Sequence, residues 1–175
     1  MDKKSKKNKD PENPNFFDLT NSIEIWFDGS CEPYNPGGRM GYGAVIKKNG
    51  QTLKELYSGE PSNDKNSNNV AEYSALKMSL EYLIENGLNN ERVFVRGDSK
   101  LVIMQMTGRW GIKEGRYVDV AKETFGLLKQ FPKIYLKWIP REENQEADGL
   151  SNRYWIENND FDDLIDFYEP PACLV

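Results

Sequence analysis

An α/β domain built on a mixed sheet is what this sequence predicts, and three observations predict it. Three strand patterns of alternating apolar and polar residues come in succession before any helix, helical and strand patterns then alternate, and the last patterned segment is helical. Strands joined by short turns pair antiparallel, whereas strands joined through helices pair parallel, so one sheet with both pairings and helices over its faces follows. The 175 residues suffice for one domain with a full core and are short for two.

The elements follow in order. Residues 1–21 combine a lysine cluster with Pro11, Pro14 and several Asn and Asp residues, too few apolar groups to repay ordering, and are read as a flexible basic arm. From Ile23 the chain alternates, with Ile23, Ile25 and Phe27 on one face and Glu24, Trp26 and Asp28 on the other, a strand ending at Gly29. Tyr42 to Lys48 is the second strand, and Asn49-Gly50 is a hairpin signal leading into a third, Thr52 to Tyr57. Val70 to Glu85 carries Tyr73, Leu76, Leu80, Leu83 and Ile84 at helical spacing, capped by Asn68 or Asn69 and stopped at Gly87. Arg92 to Asp98 reads as a buried strand, Ser99 to Met106 as a short helix, Val118 to Phe131 as a helix ended by Pro132, Ile134 to Ile139 as the last strand, and Asn144 to Asn152 as the closing helix. The domain is drawn as residues 22–154. The acidic tail 155–175, with Phe161, Leu164, Ile165 and Phe167, is either a docked helix or a partner segment.

Composition narrows the chemistry. There is no histidine, which excludes a histidine base, a Ser-His triad and imidazole–metal ligation. Cys31 and Cys173 are the two cysteines, no disulfide framework, and fit a reducing cytoplasmic setting. The sequence shows neither a secretory pattern nor an apolar run long enough for a membrane span. The net charge of −5 is uneven. Residues 1–10 hold five lysines against Asp2 and Asp10, whereas residues 151–175 hold Arg153 against six acids. Two divalent cations on the acids in between would leave that middle region slightly positive, so bulk acidity does not argue against a phosphate-bearing partner.

Four acids stand where chemistry is expected. Asp28 and Asp98 end predicted strands, the edge at which open α/β sheets place their sites. Glu72 lies in the first turn of the long helix, at its positive end. Asp148 lies one turn after Asn144 in the last helix, so one face presents an amide and a carboxylate together. Four carboxylates at one edge repel unless cations fill it, and oxygen-only ligation points to magnesium or manganese. Two such ions about 4 Å apart divide the work of activating water and stabilising the leaving oxygen of a phosphodiester, with no need of histidine. Each acid alone also has a plain structural explanation: a turn at Asp28, a dipole partner at Glu72, a helix cap at Asp98, a solvated position at Asp148.

The flanking residues are recognisable as a set. Asp28-Gly29-Ser30-Cys31, then Asn35-Pro36-Gly37-Gly38 and Gly41-Tyr42-Gly43-Ala44, Asn68-Asn69 leading to Ala71-Glu72, Gly97-Asp98-Ser99, and Asn144 through Asp148 together resemble type 1 ribonuclease H over residues 22–153. The resemblance implies a ribonuclease H-like fold, a five-stranded sheet of three antiparallel strands extended by two parallel ones. It implies an endonuclease that cuts the RNA strand of RNA–DNA hybrids and leaves 5′-phosphates, with double-stranded RNA open as a second substrate. Asp28, Glu72, Asp98 and Asp148 carry over as catalytic metal ligands for two Mg2+ or Mn2+ ions per site when substrate is bound. Gly29, Ser30, Cys31, Asn35, Asn68, Asn69 and Asn144 match the substrate-binding positions, consistent with the need for donors and acceptors to read a 2′-hydroxyl; Asn68 and Asn69 are equally explained as helix caps.

Two departures from the family pattern matter. Where many members carry a histidine before the last helix, this chain has Pro140-Arg141-Glu142-Glu143, which resembles the histidine-less branch of archaea and some bacteria; Arg141 or Glu143 either supplies part of that role or is a solvated loop charge. The basic, Trp-rich protrusion of longer members is cut short here to Arg109, Trp110, Lys113 and Arg116. Trp110 either stacks on nucleic acid or pins the loop to the core. Weaker grip on the hybrid, partly restored by the lysine arm, is expected. The enzyme is expected to be a cytoplasmic monomer. A non-cleaving hybrid-binding module, another nuclease on the same fold and a detached reverse transcriptase domain are the competing readings; retention of all four acids weighs against the first.

Overall fold

The computed structural model describes residues 21–158. The lysine arm, most of the acidic tail and Cys173 lie outside the described residues. Five strands form one sheet: β1 (Ile23–Glu32), β2 (Arg39–Lys48), β3 (Gln51–Glu60), β4 (Val93–Gly97) and β5 (Ile134–Trp138), in the order β3-β2-β1-β4-β5. β1, β2 and β3 pair antiparallel, and β4 and β5 extend the sheet parallel to β1. The helices are α1 (Asn68–Glu85), α2 (Lys100–Met106), α3 (Val118–Leu128) and α4 (Gln145–Glu157), with a single 3₁₀ turn at Arg141–Glu143 before the last. This is the mixed five-stranded sheet that the sequence predicts.

Alternation makes the sheet two-sided. Ile23, Ile25 and Phe27 of β1 are fully buried, together with Val93 and Val95 of β4, and α1 presses Tyr73, Leu76, Leu80 and Leu83 onto them. The β2–β3 turn takes positive φ at both Asn49 (54°) and Gly50 (75°), the geometry of the hairpin turn that Asn-Gly favours. α4 lies along β1, β2 and β3. It comes so close that a side chain at Gly41 would place its Cβ 1.9 Å from the carbonyl oxygen of Ser151.

Several boundaries differ from the sequence reading, among them the end of α3 at Leu128 rather than Phe131. The cap of α1 is Ser67, whose hydroxyl accepts from the Val70 N–H at 3.3 Å; Asn68 and Asn69 are already helical. Glu72 consequently sits beyond the first turn, where the helix dipole has weakened. The last helix continues through Glu157 rather than ending at Asn152, because Trp155 is buried and its indole N–H donates to the Met40 carbonyl at 2.9 Å. The strands β1, β2 and β3 are each longer than their apolar alternation, since edge and loop-flanking residues pair by backbone alone. Among the described residues, no helix is long and apolar enough to cross a membrane.

Residues 155–157 therefore belong to the folded unit. Trp155→Ala is expected to cost about 3 kcal/mol of unfolding free energy, the usual loss for a large buried aromatic, measured by urea denaturation; a loss below about 0.5 kcal/mol, the level of a surface change, would show that the end of α4 is dispensable.

Candidate active site

The parallel ladder between β1 and β4 ends at the pair Phe27 and Gly97, so the next residues, Asp28 and Asp98, emerge side by side at one edge. β1 itself runs on to Glu32 in its pairing with β2; the site lies where β4 stops, not where β1 does. Glu72 joins them because α1 crosses β1 almost in backbone contact. A Cβ on Gly29 would lie 2.3 Å from the Ala71 carbonyl carbon and 2.4 Å from the Glu72 nitrogen, so only glycine admits the helix here. One carboxylate oxygen from each of Asp28, Glu72 and Asp98 falls within 4.8 Å of the others.

Asp148, the fourth acid, is turned aside. Its Oδ1 accepts from the Arg141 guanidinium at 2.8 Å, although its charge still reaches Asp28. Asn144, expected as a substrate contact, is buried and committed internally: its amide donates to the Phe27 carbonyl at 2.9 Å and to Asp98 Oδ1 at 2.8 Å. It precedes α4 as the cap residue and accepts from the Asp148 N–H through its own carbonyl. One residue thus ties β1, β4 and α4 together and orients the Asp98 carboxylate.

Burial and repulsion raise the proton affinity of Asp28 and Glu72. The Asp28 carboxyl is pushed up to about 6, chiefly by burial and then by the charge of Asp98. Glu72 is raised well above the ordinary carboxylate range, again by burial first and by Asp28 and Asp98 next, with Arg141 opposing. Glu72 Oε2 is buried without a hydrogen-bond partner. An all-oxygen donor set with an orphaned, inward-facing carboxylate oxygen fits a hard divalent cation such as magnesium or manganese.

The loop after Asp28 is bound to the start of α1. Asn68 Oδ1 accepts from the Cys31 N–H at 2.8 Å, and Asn35 Oδ1 accepts from the Asn68 N–H at 3.1 Å. Gly29, Ser30, Cys31, Asn35, Asn68 and Asn69 therefore form one neighbourhood beside the acids, as the sequence reading grouped them. The Cys31 thiol itself is buried against Met40 and Ala71 and donates to the Tyr34 carbonyl at 3.1 Å. Asn66, which reads in the sequence as one more polar loop residue, is buried and donates to the carbonyls of Gly38 and Pro61 at 2.8 and 2.9 Å.

In the shortened protrusion, Trp110 is 43% exposed and its backbone N–H donates to the Met104 carbonyl at 3.0 Å. The loop is also held by Gln105, a buried residue that the sequence reading passed over: it accepts from the Tyr73 hydroxyl and donates to the Gly111 carbonyl at 2.9 Å. Its position on the buried face of α2, followed by an irregular loop, is the signal that was available. Arg141 stands beside the acids, whereas Glu143 is exposed.

Residues 26–154 match the reverse transcriptase-like family. The chain belongs to that family. Within it, this ribonuclease H-like domain is similar to the bifunctional protein Rv2228c of Mycobacterium tuberculosis, 36% identical over 118 residues, which are 67% of this chain and 31% of that protein. It is 30% identical over 137 residues to ribonuclease HI of Halobacterium salinarum, covering 74% of this chain and 62% of that one. The domain thus spans about a third of the mycobacterial relative's length. Among solved structures, LC11-RNase H1 in complex with an RNA/DNA hybrid superposes with a TM-score of 0.69 at 33% identity, covering 78% of this chain and 99% of that one. The amino-terminal RNase H domain of Rv2228c superposes with a TM-score of 0.70 at 33% identity, over 79% and 96% of the two chains. The ribonuclease H fold that the sequence predicts is the fold observed.

The raised carboxyls have a consequence for stability. Between pH 4 and 6 the folded domain keeps a proton on Asp28 that the unfolded chain has released, so this group's contribution falls as pH rises through that window and is unfavourable above it. Asp28→Asn is expected to stabilise the metal-free protein at pH 7.5 by on the order of 2 kcal/mol and to flatten the decline between pH 4 and 6, measured by urea denaturation in chelator. A variant no more stable than wild type would show that the carboxyls are not in conflict.

Proposed function

We propose that this domain is a metal-dependent endonuclease that hydrolyses the RNA strand of RNA–DNA hybrids and leaves 5′-phosphate ends. The observation that carries the reading is the convergence of Asp28, Glu72 and Asp98 within 4.8 Å, with a buried, unpartnered oxygen on Glu72. A structural role does not account for a cluster that repels itself, and LC11-RNase H1, solved in complex with an RNA/DNA hybrid, shares the fold at 33% identity.

Two magnesium or manganese ions held there would activate water and neutralise charge on the phosphodiester as the bond breaks. Asp28, Glu72 and Asp98 are the residues that would hold them, with Asp148 able to join once it leaves Arg141. Asn144 keeps Asp98 in one orientation, so that its free oxygen faces the site. The loop from Gly29 to Asn35 and the start of α1 at Asn68 and Asn69 present backbone and amide groups to the minor groove, where a 2′-hydroxyl distinguishes RNA from DNA. Arg141 occupies the place of the absent histidine and, released from Asp148, offers its guanidinium to a phosphate. Trp110, 43% exposed, is the protrusion residue offered to the DNA strand.

The test is cleavage of an end-labelled RNA strand in a hybrid, in double-stranded RNA and alone, with magnesium, manganese or chelator. Internal cuts in the hybrid that need metal and vanish in Asp98→Asn are expected, and the duplex RNA lane reports the second substrate directly. Well-folded protein that binds hybrid but cuts nothing under any metal would move the reading to a binding module. Arg141→Ala is expected to lower kcat by on the order of a hundredfold, the low end for losing a donor aimed at developing charge; an unchanged kcat would leave Arg141 a solvated loop charge.

A further inference from the structure

The row of residues at the active edge does not stop at Asp98. β5 lies parallel to β4, and Trp138 pairs with Gly97, so Trp138 stands one strand outward, about 4.8 Å away, from the residue that precedes Asp98. Its indole N–H donates to the Asp98 carbonyl at 2.9 Å, yet the residue is 46% exposed. An aromatic ring that is held by one edge and left open to solvent is placed to receive a ligand face.

A groove of about 510 Å³ opens from Trp138 between β5 and α2. Ile103, Met106 and Leu136 form part of its apolar lining, and Arg109 and Lys137 stand along it. No Asp or Glu lines it, in a chain of net charge −5 and beside three clustered carboxylates. An apolar, aromatic and basic lining without acids complements a polyanion whose planar faces are free. A duplex hides those faces in its stack; a single strand exposes them.

We propose that this groove binds a single-stranded nucleic-acid segment continuous with the hybrid at the active site, with one base stacked on Trp138 and the backbone phosphates facing Arg109 and Lys137. The inference rests on the ribonuclease reading for its choice of duplex, and it makes hybrids with single-stranded flanks the preferred substrates. The direct hydrogen bond between Trp138 and Asp98 joins the groove to the catalytic edge, so that a strand leaving the site on the β5 side meets the ring first.

The test measures affinity of the full chain by fluorescence anisotropy, with calcium in place of magnesium so that binding is read without turnover. The ligands are a blunt hybrid, the same hybrid with a 5′ or 3′ single-stranded tail of DNA or of RNA, and free oligo(dT). A tail of the correct polarity is expected to tighten binding about tenfold, within the range for stacking one base on one ring. Trp138→Ala should abolish that advantage, Trp138→Phe should keep most of it, and Lys137→Glu should weaken the tailed hybrid more than the blunt one. Equal affinities for all hybrids in the wild type, or a tail advantage that survives Trp138→Ala, would overturn the proposal and leave the groove to an apolar protein segment. Loss of the advantage in Trp138→Phe as well would also overturn it, assigning the effect to the indole's hold on Asp98. If no hybrid binds while oligo(dT) does and is lost with Trp138→Ala, the groove stands and the hybrid reading falls.

Discussion

Repulsion among carboxylates held together out of water is the constraint on which the rest of this structure depends. Asp28 is 7% exposed, and Glu72 has an oxygen with no partner at all. Their charges are unfavourable in that setting unless cations offset them. Such a cluster persists because the surrounding core is rigid and close-packed. Fully buried aliphatic residues of β1 and β4 carry Asp28 and Asp98 on adjacent strands, and the missing side chain of Gly29 lets α1 bring Glu72 down to them. Loosening any of these elements would let the acids separate and remove the affinity for metal.

Around this centre, polar side chains act as fasteners. Asn144 bonds to both strands and accepts the first N–H of the turn that carries Asp148. Asn66 fastens the loop at Gly38, and Gln105 fastens the shortened protrusion. Each is a buried amide with more than one bond, so its replacement would leave unsatisfied groups and cost more than the bonds themselves. On the face of the sheet that carries Trp26 and Asp28, Arg96 pairs with Glu24 at 2.5 Å and lies 4.6 Å from the ring centre of Trp26. That pair neutralises a cation that would otherwise sit unmatched beneath the catalytic edge.

Charge is therefore distributed by position rather than by total. The acids converge where β4 ends beside β1, Arg141 stands next to them paired with Asp148, and the β5 side carries Arg109 and Lys137 with no acid lining the groove between them. A net charge of −5 conceals this arrangement, which is why composition was permissive and not informative about a nucleic-acid partner.

Strand alternation, the Asn-Gly turn, the helical spacing of Tyr73, Leu76, Leu80 and Leu83, and the ordered series Asp28, Glu72, Asp98, Asp148 are local properties, and the sequence by itself determined the mixed five-stranded fold and the acids at its edge. Periodicity and turn chemistry act over a few residues, so they survive in the linear string. What the tertiary structure decided involves partners far apart in the chain. Ser67 rather than Asn68 caps α1, because Asn68 is drawn to Cys31; the Asn144 amide N–H groups serve Phe27 and Asp98; and Asp148 turns to Arg141. Helix α4 extends to Glu157 because Trp155 finds Met40. Trp138 gains its place beside Asp98 only when β5 pairs with β4. Polar side chains choose among many equivalent partners once the chain is compact, and no spacing rule records which one they choose.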